Sequence, residues 1–436
     1  MRVAPATAPI VFRGVEHRAA KGFLGASHRI CPPEVTLERV KPLLAGAGIT
    51  RMADITGLDR IGVPTVLAMR PNAPTLANAS GKGFTRTAAM VSAAMEGIEL
   101  HYGEEFSPRT CGDGHGAGLE ATYRELERDG LVCPLEQLPL TRSSIFEPDS
   151  PEDWVIGFDV AQQRPMAVPF ACVGMRSSVF RERSRFSFQV GSNGLSSGNA
   201  FLEALCSGLA EVVERDAVTC AKLRCGGHLE LERRVDLESI ADESVAELVD
   251  RFRSAGVGPV VYDCTGDTAV PVYMAYLLDD LKPSTGVFSG YGAHLHPAVA
   301  IMRALTEAAQ SRAVYIAGSR DDLMSLEHRR MRRVGAQRSS AAVSGGSVSA
   351  TQLPPSAAAA TFEQDCATFV ERIRRVGLDH VIVVDLAPPE LPISVVRVVV
   401  PGLEGYSSFA HYTPGRRGLA AQRSGRETPA DRRAGT

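Results

Sequence analysis

Glutamates recur at helical spacing in two stretches of the sequence. Glu96 and Glu99 follow Ser92 at i+4 and i+7, and Glu203, Glu211 and Glu214 recur further along. A step of eleven residues returns to within about 20° of the same helix face, so Glu203 and Glu214 align, while Glu211 neighbours Glu214 at i+3. Carboxylates that converge repel one another unless cations neutralise them. Hard oxygen ligands of this kind suit Mg2+, which in turn binds nucleotide phosphates. A glutamate stripe opposite an apolar stripe is also what any solvated amphipathic helix shows. Spacing alone leaves both readings open. A third stripe, Arg303, Glu307 and Gln310 at i, i+4 and i+7, is followed by Arg312.

Glycine-rich segments precede all three stripes. SGKG (Ser80–Gly83) lies ahead of the first and GSNGLSSGN (Gly191–Asn199) directly ahead of the second, while GYGAHLHP (Gly290–Pro297) leads into the third. Glycine permits close backbone approach, and a helix N-terminus offers free N–H groups to an anion. Lys82 is placed to meet a phosphate, or else is a turn lysine in solvent. The GxxxxGK[ST] phosphate loop is absent. His294 and His296, two residues apart in a turn without a third ligand nearby, make a weak metal site, and His101 reads as a surface residue. The nine cysteines (Cys31, Cys111, Cys133, Cys172, Cys206, Cys220, Cys225, Cys264 and Cys366) show no CxxC spacing and read as reduced, mostly buried thiols.

The elements that must position these groups alternate long helices with scattered strands. Val91, Met95 and Ile98 give an apolar face to a helix over about Thr85–Tyr102; Leu205, Leu209 and Val212 do the same for Ala200–Arg224. A helix starting at Pro297 ends near Ala317. Strands are expected in Ile49–Gly57, Val63–Met69, Val168–Met175, residues 258–264 and 271–277, Val381–Leu386 and Ile393–Val400, with a short helix over Val35–Leu44. The three glycine-rich segments read as turn-rich loops, and residues 336–361, rich in Ser, Ala, Gly and Gln, as a flexible insert. The fold class is α/β (α+β). The expected organisation is an N-terminal segment over 1–75, a catalytic domain over 76–410 and a disordered tail over 411–436.

Composition bounds the partners. Net charge is −3 and aromatics make up 6% of the chain, with one tryptophan, so neither a basic footprint nor a stacking platform for nucleic acid is present. No apolar run has the length of a membrane span, and no export signal is visible, so the cytoplasm is the expected location.

The ordered segments ASGKGFTRTAAMVSAAMEGIELHYGEE, GSNGLSSGNAFLEALCSGLAEVVERDA, RALTEAAQSRAVYIAGSRDD and VVRVVVPGLEG together resemble the YcaO family, over about His28–Gly405. The family's SxxxExxE is matched by Ser92, Glu96 and Glu99, its SGNxxxE by Ser197–Asn199 and Glu203, its ExxER by Glu211, Glu214 and Arg215, and its late glutamine–arginine element by Gln310 and Arg312. The resemblance implies a YcaO-type fold, with mixed sheets flanked by long helices carrying the acidic motifs. It implies Mg2+ held by Glu96, Glu99, Glu203, Glu211 and Glu214 around ATP. Nucleotide contacts are implied for Lys82, Ser92, Ser196, Asn199, Arg215, Gln310 and Arg312, with Arg29 and Thr36 as weaker candidates. One departure is Leu100, which follows Glu99 where many members continue the motif as ExxER, so the positive contact of that arginine is missing or supplied elsewhere.

The chemistry implied is ATP-dependent activation of a peptide-backbone amide. A nucleophile adds to the carbonyl carbon, the oxyanion attacks the γ-phosphate, and phosphate departs with the oxygen. The enzyme's share is positioning and electrostatic stabilisation. External sulfide as nucleophile gives a thioamide; a Cys, Ser or Thr side chain of the peptide gives an azoline. A PxPxP ending and a fused leader-binding domain are not seen, and ITRMADITGLDRIGVPTVLAMRPN resembles members associated with TfuA-type partners. The leading expectation is therefore thioamidation of a ribosomally made peptide or protein, with a separate TfuA-like or leader-binding partner and a homodimeric enzyme. An azoline-forming cyclodehydratase and a non-catalytic accessory factor for methylthiolation of a ribosomal protein are the alternatives.

Overall fold

The computed structural model describes residues 10–25, 27–107, 118–176, 182–226, 233–319, 347–407 and 412–426. The chain divides into two compact units. The first comprises Met1–Pro32, Glu99–Val213 and Ala357–Arg416, the second Pro33–Ile98, Glu214–Ser356 and Arg417–Thr436. Two long helices, Arg86–Glu105 and Phe201–Arg224, contribute residues to both. They correspond to the two acidic helices expected from the spacing.

The first unit is built on a six-stranded antiparallel sheet. Arg164–Pro169, Glu152–Asp159, Ile382–Asp385, Ser394–Val399 and Leu195–Gly198 follow in that order, and Gly118–Ala121 also pairs with Glu152–Asp159. Ser394–Val399 is flanked by a strand on each side, and its Val395, Val396 and Val398 are all buried. A continuous β-branched run suits such a doubly covered position. The helix Phe362–Arg375 buries Phe362, Cys366, Phe369, Val370 and Ile373 along one stripe and ends in Arg372, Arg374 and Arg375, which complement its dipole.

The second unit holds a five-stranded sheet in the order Val287–Ala293, Val272–Asp279, Val257–Asp263, Arg234–Val235, Ser347–Val348, with only the last pair parallel. A three-stranded antiparallel sheet joins Arg51–Asp54, Thr65–Met69 and Asn78–Lys82. Helix Glu243–Ser254 is capped by Asp242, whose carboxylate accepts from Ser244 N and Val245 N. Helix Pro297–Ala317 has proline in its first turn and stops at Gly318, at φ 63°. It buries Ala313 and Val314 against Ile55 and Leu67.

Several segments differ from the sequence expectation for identifiable reasons. Leu195–Gly198, Asn78–Lys82 and Val287–Ala293 are strands, although their glycines suggested turns. Those glycines lie where a helix backbone presses on the strand. A Cβ on Gly81 would stand 2.0 Å from Ala93 N, one on Gly198 2.5 Å from Ala204 N, and one on Gly290 2.2 Å from Ala308 N. Such distances are impossible for any other residue, so glycine on the strand and alanine on the helix are complementary halves of one contact. The strand expected over Val168–Met175 stops at Pro169, at the end of an edge strand, and Phe170–Cys172 turns as a 3-10 helix. Of the insert expected over 336–361, residues 336–346 lie outside the described residues, and Ser347–Val348 is a strand. The tail expected to be disordered carries a helix over Arg416–Arg426. Arg417 ties it down, with Nε 2.8 Å from Asp216 Oδ1 and Nη2 2.8 Å from Asp216 Oδ2.

Candidate functional site

Four of the five glutamates singled out by spacing each receive a backbone N–H. In the first unit Ser197 N donates to Glu99 Oε1 at 2.8 Å, Ile30 N to Glu203 Oε2 at 2.9 Å and Gly194 N to Glu211 Oε1 at 3.2 Å. In the second unit Ala293 N donates to Glu214 Oε2 at 2.9 Å. Bonds of this kind are charge-assisted and fix the orientation of a carboxylate. Carboxylates that ligate a metal need an outer layer of bonds of this kind. Glu203 and Glu214 are buried and Glu96, Glu99 and Glu211 half-buried.

The rest of the first unit's set surrounds the start of the second acidic helix. Ser197 Oγ adds a bond to Glu99 Oε1 at 2.6 Å. Asn199 Nδ2 donates to Glu203 Oε1 at 3.2 Å, and Arg29 Nη1 lies 3.9 Å from the same oxygen. Ser196 turns the other way: its buried hydroxyl donates to Ala204 O at 2.8 Å, bracing strand against helix.

In the second unit Lys82 Nζ meets Glu307 Oε2 at 2.7 Å, and Tyr291 N donates to Glu307 Oε1 at 3.3 Å. Burial pushes the Glu307 carboxyl up, but Lys82 first, then Arg215 and Arg303, outweigh it and hold the group below its usual range. Three cations therefore act on one carboxylate, and cations so placed are groups that phosphate oxygens would complement. Gln310 Nε2 bonds Ser80 Oγ at 2.8 Å and fixes its helix to the strand carrying Lys82. Arg312 is buried, with Nε 2.9 Å from Asp59 Oδ2 and Nη2 2.9 Å from Asp279 Oδ2, while its Nη1 has no partner. Arg60 also pairs with Asp279, at 2.6 Å. Thr36 is buried in the helix Pro33–Val40, and Ser92 is half-buried on the first acidic helix. Leu100 is buried, so the position after Glu99 serves the core.

Glu307 and Arg303 stood out as a polar stripe, yet only the fold reveals Glu307 as the partner of Lys82, with Arg303 acting on the same carboxylate. The backbone donors leave no trace in residue type. Among the described residues, no group of three or more His, Cys, Asp or Glu side chains is already gathered to hold a metal ion. None of the eight described cysteines forms a disulfide, and burial pushes Cys133, Cys172 and Cys264 up to about 12. His294 Nδ1 accepts from His296 N at 2.9 Å, a local turn contact. The donor set fits magnesium by its chemistry, because it is made of carboxylate oxygens oriented by amides, without thiolate or imidazole.

The family model described as YcaO cyclodehydratase, ATP- and Mg2+-binding, matches residues 80–404. A protein in the tfuA 3′ region of Rhizobium leguminosarum bv. trifolii is 33% identical over 395 residues, covering 89% of this chain and 91% of the relative. A protein of Methanothermobacter thermautotrophicus is 33% identical over 402 residues, covering 86% and 94%. Among solved structures, a heterocyclase in complex with substrate and cofactor superposes with a TM-score of 0.73 at 23% identity; the match takes in 89% of this chain and about half, 54%, of the heterocyclase. YcaO from Methanopyrus kandleri bound with AMPPCP and Mg2+ gives a TM-score of 0.68 at 23% identity, covering 92% and 99%. Among the described residues no helix is long and apolar enough to cross a membrane. With the family's model spanning the acidic helices and relatives matched along most of both chains, this protein belongs to the YcaO family, and its cofactors are ATP and Mg2+.

Proposed function

We propose that the chain is a cytoplasmic enzyme that converts a peptide-backbone amide to a thioamide: sulfide adds to the carbonyl carbon, and the γ-phosphoryl group of ATP is transferred to the resulting oxyanion, so that the oxygen departs as phosphate. In this reading Glu96, Glu99, Glu203, Glu211 and Glu214 hold magnesium. Lys82, Arg215 and Arg303 face the phosphates, and Ser92, Ser196, Asn199, Gln310, Arg312, Arg29 and Thr36 complete or brace the nucleotide contacts. The observation that carries it is the set of backbone N–H groups aimed at Glu99, Glu203, Glu211 and Glu214. A merely solvated glutamate face has no need of such donors.

The bonds balance without a protein nucleophile. Sulfide adds to the carbonyl carbon, the oxyanion takes the phosphoryl group and ADP leaves. Loss of phosphate then forms the C=S bond. Magnesium, when bound, neutralises the phosphate oxygens as charge develops. The chain's own residues orient the carboxylates, present cations and hold the helices in place. The preference for sulfide over a peptide side chain is supported by the relative in the tfuA 3′ region, which also supports a separate TfuA-like partner; we take the enzyme as a homodimer.

The test has two parts. Titration of ATP with Mg2+ into the full chain should show binding that weakens about ten-fold or more, about 1.4 kcal/mol, in Glu211→Gln. Glutamine keeps the bond from Gly194 N and removes only the charge. Incubation of the chain and its partner with peptide, ATP and sulfide should then produce the mass gain of an oxygen-to-sulfur exchange. Loss of water instead would assign azoline formation. Absence of ATP binding in the wild type would refute the site.

A further inference from the structure

A pocket confined to the first unit is lined by residues whose buried polar atoms have no partner in the fold. It is lined by Gln137, Asn193, Arg397, Val190, Val212 and Leu403, among others. Arg397 sits in the middle of the strand Ser394–Val399, 2% exposed. Its Nε donates to Cys172 O at 2.9 Å and its Nη2 to Gly191 O. Its Nη1 has no partner. Burial pulls the guanidinium down to about 10, with the Cys172 thiol and Glu211 opposing, so it stays charged at neutral pH. Asn193 Oδ1 and Gln137 Oε1 are likewise buried and unpartnered. Leaving such groups unpaired is costly, and three of them on residues lining one pocket call for a partner from outside the fold.

We infer that this pocket binds one peptide unit of the substrate chain, its C=O accepting from Arg397 Nη1 and its N–H donating to the amide oxygen of Asn193 or Gln137. The pattern is one donor and two acceptors. A carboxylate only accepts; it would satisfy Arg397 and face the two amide oxygens with repulsion. A peptide amide supplies both functions, and Val190, Val212 and Leu403 form an apolar wall for its side chain. The pocket also adjoins Glu211. Asn193 precedes Gly194, whose N–H holds Glu211, and Val212 follows Glu211 on the helix. A peptide unit bound here lies beside a residue proposed to hold magnesium. The identity of the ligand as substrate rests on the function proposed above; the pocket's donor–acceptor pattern does not.

The test uses N-acetyl-valine N-methylamide, a single blocked peptide unit, observed by saturation-transfer NMR with the full chain. We expect transfer with the wild type, affinity weakened at least roughly five-fold in Gln137→Ala, Asn193→Ala and Arg397→Lys, and no displacement by acetate or inorganic phosphate. Unchanged affinity in Gln137→Ala and Asn193→Ala, absent transfer in the wild type, or preferential displacement by acetate or phosphate overturns the assignment. Should Arg397→Lys fail to fold, the other two variants decide. Mg2+–ATP titrated into the same samples separates the two readings. Amide binding without ATP binding refutes the proposed function alone, and ATP binding without amide binding refutes the pocket alone.

Discussion

Replacing Lys82 by methionine separates a structural role from a phosphate-binding one. Lys82 Nζ lies 2.7 Å from Glu307 Oε2, with the two side chains 21% and 28% exposed. A hydrogen bond to a charged group contributes about 1.5–3 kcal/mol, and partial exposure screens this pair, so the lower end, about 1.5 kcal/mol, is the expected loss of stability. For a domain of this size that corresponds to roughly 3–6 °C in Tm. The loss has a pH signature. Glu307 is held below its ordinary value in the folded chain, so its pairing stabilises fully above the unfolded carboxyl's range and is lost as pH falls through the lower folded value. The gap between wild type and Lys82→Met should be flat above about pH 5 and narrow below about pH 4. Affinity for ATP with Mg2+ should fall about ten-fold, from the missing cation. Thermal unfolding across pH and calorimetric titration read the two effects. A stability gap that persists undiminished in acid would show that the ion pair is not its cause, and unchanged ATP affinity would remove Lys82 from the phosphate contacts.

Gly290→Ala should destabilise the chain by about 2–4 kcal/mol in chemical denaturation, since the added Cβ would stand 2.2 Å from Ala308 N and 2.3 Å from Ala304 O. Gly266→Ala, whose Cβ meets nothing within 4 Å, should stay within about 0.5 kcal/mol, and equal effects at both positions would refute the close-approach argument. Arg417→Ala should cost about 2–3 kcal/mol, because it removes a forked guanidinium from Asp216, whose side chain is 2% exposed. Arg417→Lys should recover only part of this loss, a point charge being unable to make both bonds at once. A Tm for Arg417→Ala indistinguishable from the wild type would mean that the helix Arg416–Arg426 is not anchored there.

The acidic helices were legible because their signal is local. Period and residue type together mark Glu96, Glu99, Glu203, Glu211 and Glu214, and the observed helices Arg86–Glu105 and Phe201–Arg224 differ from the expected bounds only at their ends. The β-branched strands near the C-terminus were equally plain, since Val395, Val396 and Val398 leave no room for a helical reading. What stayed hidden depends on contacts distant in sequence. Lys82 and Glu307 are separated by 225 positions, and Asn78–Lys82 is a strand only because Thr65–Met69 lies beside it. Arg312, expected as a nucleotide contact, is held between Asp59 and Asp279, partners that its place in the sequence does not announce. The tail misled for a different reason: composition argued for disorder, and a single buried partner, Asp216, gives Arg416–Arg426 an anchor that composition cannot register.

The glycines offer the clearest link between packing and chemistry. Read as loop residues, they suggested a backbone wrapped around a phosphate. In the fold they let strands come so close to helices that strand amides reach helix carboxylates. Ser197, whose N–H holds Glu99, precedes Gly198, which abuts Ala204. Tyr291, whose N–H holds Glu307, lies between Gly290 and Gly292, and Ala293, whose N–H holds Glu214, follows directly. Lys82 itself is flanked by Gly81 and Gly83, both pressed on the first acidic helix. At Glu307, whose own helix Gly290 and Gly292 press upon, the same absence of a Cβ that permits the packing therefore sets where the carboxylate points. A methyl group at these positions would displace the strand by more than the few tenths of an ångström that a hydrogen bond tolerates, so the site and the strand–helix packing are one structure and respond together to substitution.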